Sequence, residues 1–192
     1  MPDYRRYFVP GGTYFFTIVS YRRQPRFGQP SDVHRLREAI ASVQREKPFM
    51  FLAGVVLPDH MHFLWTLPPG DDDYSTRIGL MKVHFTQSCP RQTSNAAGLS
   101  ESRRKHRERG VWHRRFWEHT LDEDGEMEAF LDYIHYNPVK HRHASCPHVW
   151  SASSFARWVA AGCYERSWGC CCENVTKPPR DFDAIRDWIG ED

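Results

Sequence analysis

Along the chain, segments in which apolar residues alternate or run together give way to segments in which they recur every third or fourth position. Residues 13–20 (TYFFTIVS) are β-branched and aromatic and follow the turn pair Gly11-Gly12, which predicts a strand. Val33, Leu36, Ile40 and Val43 then share one face of a predicted helix ending near Glu46, with Ser31 or Asp32 as its N-cap. Residues 51–57 form a second strand, which turns at Pro58-Asp59 into a third over 60–67. Ile78, Met81 and Phe85 predict a helix over 74–88 with Ser75 as a cap. Residues 90–109 are polar and aperiodic and read as a loop. Residues 111–121 predict a fourth strand, and 126–137 a last helix that Pro138 is expected to end.

The order β-α-β-β-α-β-α is that of the split βαβ, ferredoxin-like α+β fold: an antiparallel sheet with helices on one face and one added helix. A chain of 192 residues suits one compact body with an appendage. We assign residues 1–145 to that body and 146–192 to a tail. Trp150, Phe155, Trp158 and Trp168 should pack parts of the tail onto the body, and its end should be flexible.

Composition narrows the class without naming a partner. Hydrophobic residues make up 40% and charged residues 26%, as in an ordinary soluble globule. There is neither a signal-peptide core nor an apolar run long enough to span a bilayer, so the expectation is a cytoplasmic protein with no membrane partner. The six cysteines, Cys89, Cys146, Cys163 and Cys170 to Cys172, lack C-x-x-C spacing. Adjacent cysteines make a poor tetrahedral clamp even with His148 nearby, so free thiols are expected. The formal net charge is +2, but the charge is unevenly spread. Arg103, Arg104, Lys105, Arg107, Arg109, Arg114 and Arg115 cluster against a single Glu108, and Arg5, Arg6, Arg22, Arg23 and Arg26 form a second basic group. Such groups are either solvated loops or a face that tracks a phosphate backbone. Trp112, Phe116 and Trp117 are interleaved with the first group and offer stacking surfaces for unpaired bases, although Phe116 reads better as a buried strand residue.

Two constellations carry candidate chemistry. His60 and His62 are i and i+2 on the third strand, so both imidazoles face one side while Met61 enters the core on the other. Two imidazoles so placed can hold one divalent metal; an uneventful pair on an exposed sheet face is the alternative. Tyr133 and Asn137 are four apart on the last helix and share a face beside the apolar Met127, Phe130, Leu131 and Ile134. A phenol at that boundary can lean over the histidines, and the amide oxygen of Asn137 can serve as a third ligand. A boundary tyrosine with no chemistry is the alternative there.

Taken together these segments resemble a known group. The His60-Met61-His62 triplet is similar to the histidine–hydrophobe–histidine motif of the HUH endonucleases. The segments 4–17, 55–68, 110–120 and 132–141, with Trp150, Ser153, Ser154 and Phe155, resemble the REP-associated tyrosine transposases over nearly the whole chain. The resemblance implies Tyr133 as nucleophile, His60, His62 and Asn137 as ligands of Mg²⁺ or Mn²⁺, and single-stranded DNA folded into imperfect hairpins as substrate. It implies cleavage and rejoining through a covalent 5′-phosphotyrosine, by a monomer with a homodimer as the alternative. Expected DNA contacts are Arg5, Arg6, Arg103, Arg104, Lys105, Arg114, Arg115, Trp117 and Lys140. The rival readings are a hairpin-binding protein that does not cut, and a metal-dependent hydrolase in which water attacks. His135, Asp59, a nearby water or a metal-bound hydroxide is the candidate proton acceptor for the tyrosine. This chain departs from the family in having Arg142 where a glycine commonly follows the histidine corresponding to His141, and in its cysteine-rich end from Gly169 onward.

Overall fold

A computed structural model describes residues 7–90, 100–106, 108–122, 124–172 and 182–191. Four strands, β1 (Thr13–Val19), β2 (Met50–Val56), β3 (His60–Thr66) and β4 (Trp117–Thr120), form an antiparallel sheet in the order β2-β3-β1-β4. This is the ferredoxin-like order expected from the split βαβ pattern. The helices α1 (Pro30–Glu46) and α2 (Tyr74–Ser88) cover one face. The opposite face is covered by α4 (Asp124–Lys140), with the short α3 (Glu101–Lys105) lying between α2 and β4 in the chain.

The central strands are buried on both faces, which is why they read as nearly continuous apolar runs. Tyr14, Phe16 and Ile18 of β1 and Met61, Phe63 and Trp65 of β3 point toward α1 and α2. Their alternates, Phe15 on β1 and Leu64 on β3, point toward α4, where they meet Phe130, Tyr133 and Ile134. The register sets Thr17 opposite His62 and Val19 opposite His60. A one-residue slip would exchange every one of these side chains between faces.

Several elements differ from their sequence reading. The α2 helix is capped by Asp73, whose carboxylate accepts from the Thr76 amide at 3.1 Å; Ser75 lies inside the helix. The fourth strand is shorter than expected. Trp117 stands opposite Thr17 and Trp112 bridges Ser20, and the chain between them bulges out to expose Arg114 and Arg115. Residues 101–105, read as loop, form α3, capped by the Ser100 hydroxyl accepting from the Arg103 amide. The last helix passes through Pro138 and ends at Lys140. Proline removes one amide bond near the helix end, and the next turn is closed by other means. The His143 amide donates to the Pro138 carbonyl at 2.8 Å and the Arg142 amide to Val139 at 2.9 Å. That is a Schellman cap, with Arg142 in the left-handed position at φ 59° where glycine is favoured.

After α4 the chain runs along the free edge of β2. Ser153 bridges Val55, the Val56 amide donates to Ala152 at 2.8 Å, and the indoles of Trp150 and Trp158 donate to Val56 and Leu52 at 3.0 and 3.1 Å. The sheet edge is thereby paired rather than left open. Two short helices follow, α5 (Phe155–Ala160) and α6 (Arg186–Ile189), the latter packed on β4. Cys146 and Cys170 form a disulfide, contrary to the expectation of free thiols, because the tail folds back across 24 residues and sets the two side by side.

Candidate active site

The α4 face of the sheet becomes polar at one end. His60, His62, Tyr133 and Asn137 are all at most 2% exposed, so the histidines are not an exposed pair on a bare sheet. Burial of four polar side chains demands partners, and the partners define the site.

His60 lies against Asp59, Nδ1 to Oδ1 at 2.7 Å, which makes Nδ1 the protonated nitrogen and leaves Nε2 with a lone pair. The Thr17 hydroxyl donates to the Ile189 carbonyl and so accepts from His62 Nδ1 at 2.9 Å. His62 Nε2 faces the Glu191 carboxylate at 2.9 Å, to which it can only donate, so its lone pair becomes available to a ligand when that carboxylate is displaced. The rings sit 5.2 Å apart in edge-to-face contact, and that of His62 is 5.3 Å from the Tyr133 ring. A carboxylate or hydroxyl orienting the far nitrogen of an imidazole is the usual support of a metal-ligating histidine.

Tyr133 and Asn137 approach from α4, one turn apart on its sheet-facing side. Continuation of the helix past Pro138 adds Lys140, two turns from Tyr133, whose ammonium donates to the phenol oxygen at 2.9 Å. Sequence reading placed Lys140 among the DNA contacts; the i+7 spacing was visible, but the expected stop at Pro138 hid it.

The centre of the cluster is held by Glu191, for which the sequence offered no signal. Its carboxylate accepts from Tyr133 and from Lys140, and from the Asn137 amide at 3.3 Å. It stands 2.9 Å from His62 Nε2, 3.4 Å from His141 and 3.7 Å from His60 Nε2. Burial pushes Glu191 up, but the imidazoles of His141, His60 and His62 around it outweigh that and hold the carboxyl well below its usual range. Burial, and then the Glu191 charge, push the Tyr133 phenol far above its ordinary value. Burial takes His62 down to about 4. It also pulls on His60, where the hydrogen bond to Asp59 and the charges of Asp59 and Glu191 prevail and leave the imidazole above its ordinary value.

Among the described residues, two buried atoms in the cluster have no hydrogen-bond partner, His60 Nε2 and Asn137 Oδ1. With His62 Nε2 they offer two imidazole nitrogens and an amide oxygen, a donor set that fits a divalent cation. His60, His141 and Glu191 also have ligand atoms within 4.8 Å of one another. His135 is not part of this constellation. Its Nε2 meets the Ser154 hydroxyl at 2.9 Å, its ring packs on Phe155 and Tyr164, and burial takes it down to about 3.

The expected DNA contacts separate. Arg104, Lys105 and Arg115 are exposed. Arg114 is exposed but bonds Glu108 at 2.7 Å and the Ser102 hydroxyl at 3.0 Å. Arg103 turns inward, 8% exposed, to Glu108 at 2.6 Å and the Tyr21 ring at 4.2 Å; its contribution is to the fold. The indole of Trp117 donates to Trp188 at 2.8 Å beneath α6. Trp112 sits in the core between Phe27 and Phe85, bonded to Lys82 and Thr86. Arg5 and Arg6 lie outside the described residues.

Residues 9–137, which include His60, His62, Tyr133 and Asn137, match the family "Transposase IS200 like". A REP-associated tyrosine transposase of Escherichia coli K12 is 40% identical over 88% of this chain and 91% of its own length. A relative so named in Haemophilus influenzae is 41% identical over 88% of this chain and 94% of its own. The solved structure of a REP-associated tyrosine transposase bound to a REP hairpin superposes with a TM-score of 0.73, at 38% identity, covering 94% of this chain and 99% of that one. Sheet order, site geometry and these likenesses agree, and the chain belongs to the IS200-like transposases, among the REP-associated tyrosine transposases.

Proposed function

We propose that this transposase cleaves and rejoins single-stranded DNA beside an imperfect hairpin, with Tyr133 attacking the scissile phosphodiester. The observation that carries the reading is the position of the Tyr133 phenol: its oxygen is 2.9 Å from the Lys140 ammonium and hydrogen-bonded to an anion that His62 Nε2 also meets. The Glu191 carboxylate is a fair stand-in for a phosphate. Both are anions with acceptor oxygens, and the donors it gathers are those a phosphodiester needs.

His60, His62 and Asn137 would hold the divalent cation, Mg²⁺ or Mn²⁺. Bound there, it supplies the positive charge that draws electron density from a non-bridging phosphate oxygen. Asp59 and Thr17 keep the imidazoles in the ligating tautomer. With the carboxylate displaced by DNA, the phenol loses the neighbouring charge that holds it protonated. Lys140 then donates to the developing phenolate and lowers the cost of releasing its proton. The Tyr133 oxygen forms a bond to phosphorus, the bond to the 3′ oxygen breaks, and that oxygen takes up a proton and departs as a hydroxyl. Because the phosphotyrosine retains the ester, a 3′-hydroxyl can attack it in reverse and restore a DNA strand without an external energy source. Arg104, Lys105 and Arg115 would contribute salt-sensitive contacts to the phosphate backbone.

The test is a denaturing gel of labelled hairpin DNA incubated with Mn²⁺ or Mg²⁺, followed by peptide mapping of any covalent adduct. Wild-type protein should yield an adduct on Tyr133 that chelation with EDTA prevents. Tyr133→Phe should bind hairpin yet form none, whereas Tyr136→Phe should still cut, because its phenol lies 3.7 Å from the Cys171 sulfur rather than in the site. Cleavage without an adduct would overturn the reading in favour of attack by water.

A further inference from the structure

The cysteine-rich end, read as free thiols from sequence, gathers with His148 on the far side of the α4 terminus. Cys170 Sγ is 3.7 Å from His148 Nδ1, and Cys172 Sγ is 3.3 Å from Cys146 Sγ. The ligand atoms of Cys146, His148 and Cys170 all lie within 4.8 Å of one another. A disulfide uses two of these four groups and gives no account of why His148 stands beside Cys170 and Cys172 beside Cys146.

Their arrangement is that of two short clamps. Cys146-Pro147-His148 and Cys170-Cys171-Cys172 each present residues i and i+2 on one side. The objection that adjacent cysteines cannot splay around a metal falls away, because Cys171 faces elsewhere, toward the Tyr136 phenol at 3.7 Å. The Cys171 amide donates to the Ser145 carbonyl at 2.8 Å and ties the clamps together. Pro147 begins a 3-10 turn, closed where the Val149 amide meets the Cys146 carbonyl at 3.3 Å. Gly169 lets the second clamp approach the first. Its φ is +67°, and a Cβ there would meet the Pro147 and Tyr136 rings at 3.2 Å. Two of the separations, 3.7 Å for Cys170–His148 and 3.3 Å for Cys146–Cys172, are near the edges of a tetrahedron with bonds of about 2.0 to 2.3 Å, and reduction frees the bonded Cys146–Cys170 pair to part and close the remaining edges.

We propose that Cys146, His148, Cys170 and Cys172 form a structural zinc site in the reduced protein, a clasp that locks the tail against the C-terminal end of α4. The Cys146–Cys170 disulfide is the oxidised, metal-free form of the same clasp. Two molecules of a low-molecular-weight thiol supply the two electrons and two protons that convert the disulfide to two thiols, and leave as their own disulfide. Zinc then binds the three cysteines as thiolates and releases their protons, with neutral His148 as the fourth ligand. Reduced and metal-free, this segment would keep only the contacts of the tail; with zinc, residues 146 and 172 are bridged directly. The clasp adjoins Tyr136 and so backs the last turn of α4, which carries Asn137 and Lys140.

The experiment is metal analysis of full-length protein reduced with a thiol, given Zn²⁺, and desalted, with Co²⁺ substitution as a spectroscopic reporter. The expected result is about one zinc per chain retained by wild-type protein and by the His60→Ala/His62→Ala double variant. Cobalt should show sulfur-to-metal charge transfer and the intense visible bands of tetrahedral coordination. Cys172→Ser, an exposed residue outside the disulfide, should fold and hold zinc at least tenfold more weakly, and Cys171→Ser should bind as wild type. Retention of zinc in Cys172→Ser, its loss from the His60/His62 variant alone, or cobalt spectra without thiolate bands would each overturn the proposal. So would a Cys146–Cys170 bond that thiol leaves intact in the folded protein.

Discussion

The two faces of the sheet are made by the same strands and serve opposite purposes. Toward α1 and α2, β1 and β3 present Tyr14, Phe16, Ile18, Met61, Phe63 and Trp65, a wholly buried aromatic layer. Its one phenol near the rim, Tyr14, donates to the Val9 carbonyl at 2.7 Å. Toward α4, the alternate positions of the same strands supply Thr17, His60 and His62 beside Phe15 and Leu64. The first face carries few hydrogen-bonding groups, and only Trp65 Nε1 among these six residues is buried without a partner. On the second, His60 Nε2 and Asn137 Oδ1 are buried and unpaired, each at a cost of about 1–3 kcal/mol. The stability of the first face offsets that cost, which is how a rigid scaffold tolerates the unpaired groups of the candidate site.

The sharpest way to break the comparison is to cut into the structural face. Trp65→Ala should lose about 3–5 kcal/mol in denaturant unfolding, because a fully buried ring is removed. Its residual DNA cleavage should track the folded fraction and nothing else. A smaller loss than His62→Ala would show that the load is not carried where we place it.

His62→Ala should do the reverse. Cleavage should fall by at least about a hundredfold, the equivalent of several kcal/mol of charge stabilisation, while hairpin affinity stays within about threefold. Rates measured on a labelled hairpin and binding by anisotropy decide it; a parallel fall in both would make His62 a binding residue.

Asp59→Asn tests the support beneath that face. Loss of the carboxylate that orients His60 should raise the Mn²⁺ concentration needed for half-maximal cleavage about 10–100-fold, with restoration at high metal. Cleavage unchanged across a metal titration would leave Asp59 a surface partner of Arg23.

The smallest effect concerns the cap of α4. Arg142 occupies a left-handed backbone position that costs a residue with a Cβ about 1–2 kcal/mol. Arg142→Gly should therefore raise stability by up to about 1 kcal/mol, less the extra freedom glycine has when unfolded, with cleavage unchanged. A destabilised variant would mean that the arginine side chain matters more than its backbone.

Local patterning was enough to read the strands, the sheet order and half of the candidate site. Period-two and helical spacings are local, so β1 to β3, α1 and α2 were legible within a residue or so. The i, i+2 rule put His60 and His62 on one face opposite Met61, and the i, i+4 rule put Tyr133 and Asn137 together. The same local logic erred where two local rules compete. Pro138 reads as a stop, yet the chain has enough capping bonds beyond it to complete another turn and deliver Lys140. Arg103 reads as one more exposed cation among its neighbours, but an N-cap at Ser100 starts α3 and turns that one arginine inward onto Glu108 and Tyr21.

The features that local patterning missed involve partners far apart in the chain. Glu191 is 129 residues from His62, and no periodicity links them. The pairing of Thr17 with His62 follows from strand register, and the meeting of Cys146 and His148 with Cys170 and Cys172 from the path of the tail around α4. Local pattern fixes which way a side chain faces; which distant group it meets is set by how the layers pack, and in this protein the chemistry lies in those meetings.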